Sequence, residues 1–181
     1  MKPLFIVTGI TFSLVVGSAM AADGTITFNG KVVDQTCSVD TASKNMTVTL
    51  PTVSEASLDT SAKTAALTPF VISISGCKTD AAEGAKKIKA YFEPNAGTDF
   101  TTGNLTNTAS SDSAGNVQIQ LLNQDGTTAI KLGQDFASQN VTATNIDADN
   151  VKMRYTARYY ATGTATAGDV TATVNYTIAY E

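Results

Sequence analysis

Residues 170–180 read V-T-A-T-V-N-Y-T-I-A-Y, with Val170, Ala172, Val174, Tyr176, Ile178 and Tyr180 on one parity and Thr or Asn on most of the other. A period of two sends successive side chains to opposite faces, so this is the pattern of a strand with one apolar and one wet face. Residues 151–159 repeat it: Val151, Met153, Tyr155, Ala157 and Tyr159 alternate with Lys152, Arg154, Thr156 and Arg158. The basic side chains there are read as the solvated face of a half-buried strand. Shorter runs of the same kind occur at Val117, Ile119 and Leu121; at Ile88, Ala90 and Phe92; at Phe70, Ile72 and Ile74; at Met46, Val48 and Leu50; and at Ile26, Phe28 and Val32. The turn signal N-Q-D-G at 123–126 predicts a short strand around Ile130 to Leu132. Thr is the favoured polar partner throughout, and its β-branched side chain suits a pleated, half-buried surface. Residues 53–67, with Ala and Glu, predict at most a helical turn. The Thr-, Asn- and Gly-rich stretches 95–116 and 161–169 read as loops. Seven or more short strands separated by turns predict an all-β chain built as one immunoglobulin-like β-sandwich.

Composition narrows what such a sandwich can do. Among 181 residues there is no His and no Trp, and 12 Lys plus Arg face 16 Asp plus Glu. Without His the usual general base, the commonest metal ligand and the Ser/His and Cys/His nucleophile pairs are missing, so an enzyme is not expected and no cofactor is assigned. A net charge of -4 supplies no basic field for nucleic acid. The stretch N-I-D-A-D-N at 145–150 lacks the Gly and closing Glu of a calcium loop and reads as a solvated turn, and no metal site is expected.

Residues 1–21 combine Lys2, an apolar run from Leu4 to Val16 and the small-residue sequence Ala19, Met20, Ala21. This is the pattern of a cleaved secretory signal, and the run is shorter than the ~20 apolar residues of a spanning helix. Export to an oxidising compartment allows Cys37 and Cys77, 40 positions apart, to form a disulfide. In the chain-entropy model a bridge over that span removes roughly 4 kcal/mol of unfolded-state freedom.

The two ends leave a choice open. The exported chain opens on Ala22, Gly24, Ile26 and Phe28 and finishes on the strand at Tyr180. These first and last strands either pair within one molecule, or the opening segment leaves its own subunit to complete a neighbour.

Several motifs occur in order along the chain: G-T-I-T-F-N-G-K-V-V-D (24–34) before the first Cys, L-T-P-F-V-I-S-I-S-G-C (67–77), A-R-Y-Y-A-T-G (157–163), Gly168 and the penultimate Tyr180. With these the chain resembles the pilins of chaperone-usher fimbriae, most closely the major rod subunits of type 1 fimbriae. The resemblance implies a cleaved signal (1–21), an N-terminal donor-strand extension running into the first strand (22–33), and a pilin domain (34–181). It implies an incomplete immunoglobulin-like sandwich lacking its last strand, completed in trans by donor-strand exchange. The donor side chains would be Gly24, Ile26 and Phe28, with Ala22 and Gly30 at the ends. The acceptor and chaperone-binding strand would begin at Gly168 and carry Val174, Tyr176, Ile178 and Tyr180. Implied partners are identical or homologous pilin subunits, a periplasmic chaperone and an outer-membrane usher. A host receptor would be met through a separate tip adhesin. The expected role is a structural, adhesion-supporting subunit of a fimbria on the bacterial surface, reached through the periplasm. The alternatives are a minor adaptor or terminator subunit or, from another class, a secreted carbohydrate-binding sandwich.

Overall fold

The computed structural model describes residues 24–34, 37–79 and 84–181. The signal segment and Ala22 lie outside the described residues. The chain divides into two units, Met1–Lys31 and Val32–Glu181. In the first, residues 24–31 take no regular structure, and Ile26 and Phe28 are 79% and 89% exposed. Alternation there predicts a strand, but a strand exists only in a ladder, and the described residues of this unit supply none.

Among its described residues the second unit is all β apart from two short helical turns. Its strands are β1 (Ser38–Val39), β2 (Thr64–Ser75), β3 (Lys87–Glu93), β4 (Thr98–Asp99), β5 (Asn104–Thr106), β6 (Val117–Asn123), β7 (Thr144–Asn145), β8 (Val151–Ala161) and β9 (Asn175–Tyr180). One sheet runs β1-β2-β8-β6-β5-β4 and the other β7-β3-β9, every neighbouring pair antiparallel. The helical turns, α1 (Thr41–Lys44) and a 3-10 turn at Glu55–Leu58, fall outside the sheets, the second inside the stretch where one was expected.

The period-two runs of the sequence become β2, β3, β6 and β8, whose inward residues form one core. Ile72 and Ile74 of β2 and Met153 and Tyr155 of β8 meet Ile88, Ala90 and Phe92 of β3 across it. Tyr155 packs edge-on to Phe92 at 5.3 Å and tilted against Phe70 at 5.7 Å, joining the two sheets through aromatic contact. Lys152 and Arg154 are exposed on the outer face of β8, and Arg158 donates two hydrogen bonds to Gln120 Oε1 at 2.9 and 2.7 Å. Cys37 and Cys77 are disulfide-bonded, fixing the entry of β1 to the exit of β2.

Three expectations need correction. The loop 95–116 contains β4 and β5, because Thr and Asn there pair along the sheet rather than with water. Ile130 and Leu132 are fully buried but not a strand, since Ile130 N–H bonds Leu121 O and Leu132 N–H bonds Gly103 O, two different partners instead of one ladder. Residues 46–50 and 170–174 alternate as strands do yet belong to no ladder, and this last departure builds the site.

Candidate functional site

The last strand has one paired and one unpaired edge. Lys87 N–H bonds Glu181 O at 3.0 Å and Glu181 N–H bonds Lys87 O at 2.9 Å, which makes that pair mutually hydrogen-bonded. In an antiparallel ladder such pairs alternate with pairs whose backbone groups point away. With Lys89 opposite Ala179, Tyr91 opposite Thr177 and Glu93 opposite Asn175, these residues bond across to β3. Tyr176, Ile178 and Tyr180 therefore turn their N–H and C=O groups to the other side, where β9 ends its sheet. Their side chains face the core, half-buried against it. The same three residues thus offer unpaired backbone at an edge and apolar side chains beneath it.

Across a gap from this edge run residues 46–50, whose backbone makes no hydrogen bond to other backbone among the described residues. The chain diverges there after β1: Asp40 N–H still bonds Ser73 O, and α1 then carries the chain off β2. Between the two lips lies an open groove of 1070 Å³. Met46, Val48 and Leu50 line one side, Val170, Ala172, Val174 and Ile178 the other, and Phe70, Ile72, Phe92, Ile119, Ala157 and Tyr159 lie beneath. Two tyrosines brace it. Tyr176 Oη donates to Ser43 O at 2.8 Å and Tyr180 Oη to Cys37 O at 3.4 Å, each tying β9 to the start of the opposite lip. Burial raises the hydroxyl pKa of Tyr159, Tyr176 and Tyr180 above the ordinary tyrosine value.

The upper end of the lip is held by loop contacts. Thr108 N–H bonds Thr171 O at 2.8 Å, and Asn95 Nδ2 bonds Thr173 O at 2.8 Å. Gly168 lies just before this lip and is not among the groove-lining residues. At φ 154° its missing side chain leaves room for close backbone approach, since a Cβ would stand 2.2 Å from Asp112 O and 2.5 Å from Ala114 N. Gly24, Ile26, Phe28 and Gly30 all fall in the first unit, with no atom within 4 Å of a Cβ at either glycine.

Val174, Tyr176 and Ile178 line the groove, while Tyr180 braces its end. The reading from sequence missed the opposite lip, treating Met46, Val48 and Leu50 only as a strand. Its signal was present: the alternation is that of residues 170–178, but alternation does not say whether a partner is supplied. The groove has no acid-base pair or nucleophile poised for chemistry, and among the described residues no three His, Cys, Asp or Glu side chains cluster to hold a metal. Its chemistry is that of a long apolar slot beside unpaired backbone.

The architecture defines a class, an immunoglobulin-like sandwich with an open groove along its last strand. The family profile described as type-1 fimbrial protein, A (FimA) matches residues 50–181. An F17 fimbrial protein of Escherichia coli is 62% identical over 181 residues, covering 100% of both chains. The major fimbrial subunit SMF-1 of Stenotrophomonas maltophilia (strain K279a) is 45% identical over 90% of this chain and 95% of that protein. The crystal structure of the P pilus rod subunit PapA matches with a TM-score of 0.60 at 15% identity, covering 80% of this chain and 99% of that one, a likeness of fold. The chain belongs to the type-1 fimbrial protein family. It is a structural pilin of extracellular, cell-surface fimbriae, not an enzyme.

Proposed function

We propose that this pilin is a rod subunit that polymerises by strand addition, residues 22–30 of each incoming copy entering the groove of the copy before it. The observation that carries the reading is the pairing of an unbonded backbone edge at Tyr176, Ile178 and Tyr180 with the 1070 Å³ apolar groove beneath it. An extended guest there would gain ladder hydrogen bonds from the edge and specificity from alternate side chains entering the slot. Residues 24–30 have the required alternation, with Ile26 and Phe28 as apolar knobs and Gly24 and Gly30 as flat ends. Burying Ile26 and Phe28 contributes on the order of 1.5 to 3 kcal/mol each. Before assembly the groove is filled by a strand from a periplasmic chaperone, and an outer-membrane usher exchanges it for the next subunit's segment. A separate tip adhesin meets the host receptor.

The test is deletion of residues 22–30, with Phe28→Asp as its point version. Both variants are expected to be recovered folded with the chaperone and to yield no fibres by electron microscopy, because each retains a groove and lacks a competent donor. Loss of the folded, chaperone-bound subunit on deletion would show that the segment serves its own sandwich and would sink the reading.

A further inference from the structure

The three-stranded sheet has a second edge, along β3, and side chains close it. Residues 87, 89, 91 and 93 bond across to β9, so Ile88, Ala90 and Phe92 turn their backbone groups away from it, while Lys86 sends its N–H to Glu181 O and only its carbonyl to the far side. Strand β7 covers only the first part of that edge: Ile146 N–H bonds Lys86 O at 2.9 Å, and Ile88 sits opposite Thr144. Beyond it, among the described residues, no backbone hydrogen bond to that edge follows. Instead Ala90 N–H bonds Tyr155 Oη at 3.1 Å. Phe92 N–H bonds Gln139 Oε1 at 3.1 Å, while Gln139 Nε2 bonds Phe92 O at 2.6 Å. The Gln139 amide exchanges both bonds with one residue, as an antiparallel partner strand would.

Gln139 is fully buried. Its own backbone is fixed, N–H to Asp135 O at 3.1 Å and O accepting from Lys131 N–H at 2.8 Å. The loop carrying it also lays Phe136 over the other face of β3, its ring 4.0 Å from Lys89 Nζ and 6.1 Å from the Tyr91 ring. Two side chains from outside the sheet therefore occupy positions that an added strand would need.

We propose that Gln139, assisted by the Tyr155 hydroxyl, is a specificity-determining residue of assembly: it closes the β3 edge so that a neighbouring copy's strand enters only along β9. This rests on the strand-addition reading above. Nothing in β3 itself forbids pairing, since its sequence alternates as that of β9 does. The selection is made by what lies beside each strand.

The chain as exported is refolded with excess synthetic peptide of residues 22–34 carrying benzoyl-phenylalanine in place of Phe28, then irradiated, and the adducts are mapped by mass spectrometry. In the native chain adducts are expected only on groove-lining residues. In Gln139→Met, which fills the space without either hydrogen bond, a second set is expected at 88–93, and Phe92 amide exchange rises about tenfold. An unchanged adduct map alongside the faster exchange would overturn the proposal, because the cap would then be only structural. Should Gln139→Met not refold, Tyr155→Phe reads the same map around Ala90, and no new adduct there overturns it equally. Absence of groove adducts in the native chain would instead remove the strand joint itself, a separate failure.

Discussion

The two edges of the three-stranded sheet are made from similar sequence and treated in opposite ways. Along β3, Ile88 meets β7, the Ala90 N–H meets the Tyr155 hydroxyl and both backbone groups of Phe92 meet the Gln139 amide. Along β9, Tyr176, Ile178 and Tyr180 point their backbone groups at a groove that holds no strand. The larger sheet is also blunted at its ends: β4 and β1 are each two residues long, and the part of β2 that β1 leaves uncovered carries a bulge at Ala65–Thr68 with exposed Pro69 beyond it. An unprotected edge is normally an aggregation hazard. On the strand-addition reading, a chain that blunts its other edges and leaves one open above an apolar groove places its polymer joint by exclusion as much as by attraction.

The sharpest way to break that comparison is to spoil the open edge. Ile178 lies between the two bracing tyrosines with its side chain in the groove. Ile178→Asp puts a charge among the apolar side chains of the groove, such as Phe70, Ile72 and Phe92, a cost on the order of 3 kcal/mol or more. Loss of chaperone-bound subunit in periplasmic extracts is the expected result. Normal recovery would mean that β9 needs no guest.

A smaller effect is expected from loosening the lip without touching its lining. Gly168→Ala forces a Cβ against Asp112 O and Ala114 N at a φ of 154°. Loss of about 2 kcal/mol is expected, read as a lower Tm of the complex. The bridge between Ser113 and Asp169 and the bond from Thr108 N–H to Thr171 O hang on this approach. Faster amide exchange at Thr108 should therefore accompany the lower Tm.

On the closed side, Tyr155→Phe leaves Ala90 N–H buried and unbonded at a cost of about 1 to 3 kcal/mol by denaturant titration. The same hydroxyl gives a pH signature. Burial, only partly offset by the Ala90 bond, pushes its pKa up to about 12. Between the unfolded value near 10 and that folded value, the unfolded chain loses its proton first. Stability is therefore intact below about pH 10 and falls as pH rises toward about 12, by on the order of 2 kcal/mol. Tyr155→Phe should flatten that alkaline limb, and an unchanged limb would place the titrating group elsewhere.

Much of this fold is legible as period-two patterning because β2, β3, β6 and β8 each bury one face, and burial is what writes alternation into sequence. The disulfide of Cys37 and Cys77 was legible from export and count. What alternation cannot carry is pairing. Met46, Val48 and Leu50 read like Ile88, Ala90 and Phe92, yet one set lines an open lip and the other sits in a ladder. Strands β4 and β5 were hidden because Thr98 and Asn104 are polar residues buried by hydrogen bonding rather than by apolar contact. Gln139 left no trace at all, since a Gln in the polar stretch G-Q-D-F-A-S-Q-N (133–140) has no periodicity to break.

The smallest expected effect sharpens the comparison from the other sheet. Ser73 N–H bonds Ser43 Oγ and Ser73 O accepts from Asp40 N–H, so Ser73 faces away from β8, and by parity Val71 and Pro69 do as well. Pro69 therefore occupies an outward position on the uncovered part of β2 and presents no N–H there. Its exposure means that Pro69→Thr should change stability by no more than about 0.5 kcal/mol. What should change is association. A restored donor beside the backbone of Val71 offers a second line for strand pairing that does not use residues 22–30. The double variant Pro69→Thr with residues 22–30 deleted is expected to form concentration-dependent oligomers by light scattering, where the deletion alone stays at its chaperone-bound size. If both behave alike, the β2 edge is protected by its bulge and short neighbour without help from the proline, and closure of that edge would rest on geometry alone.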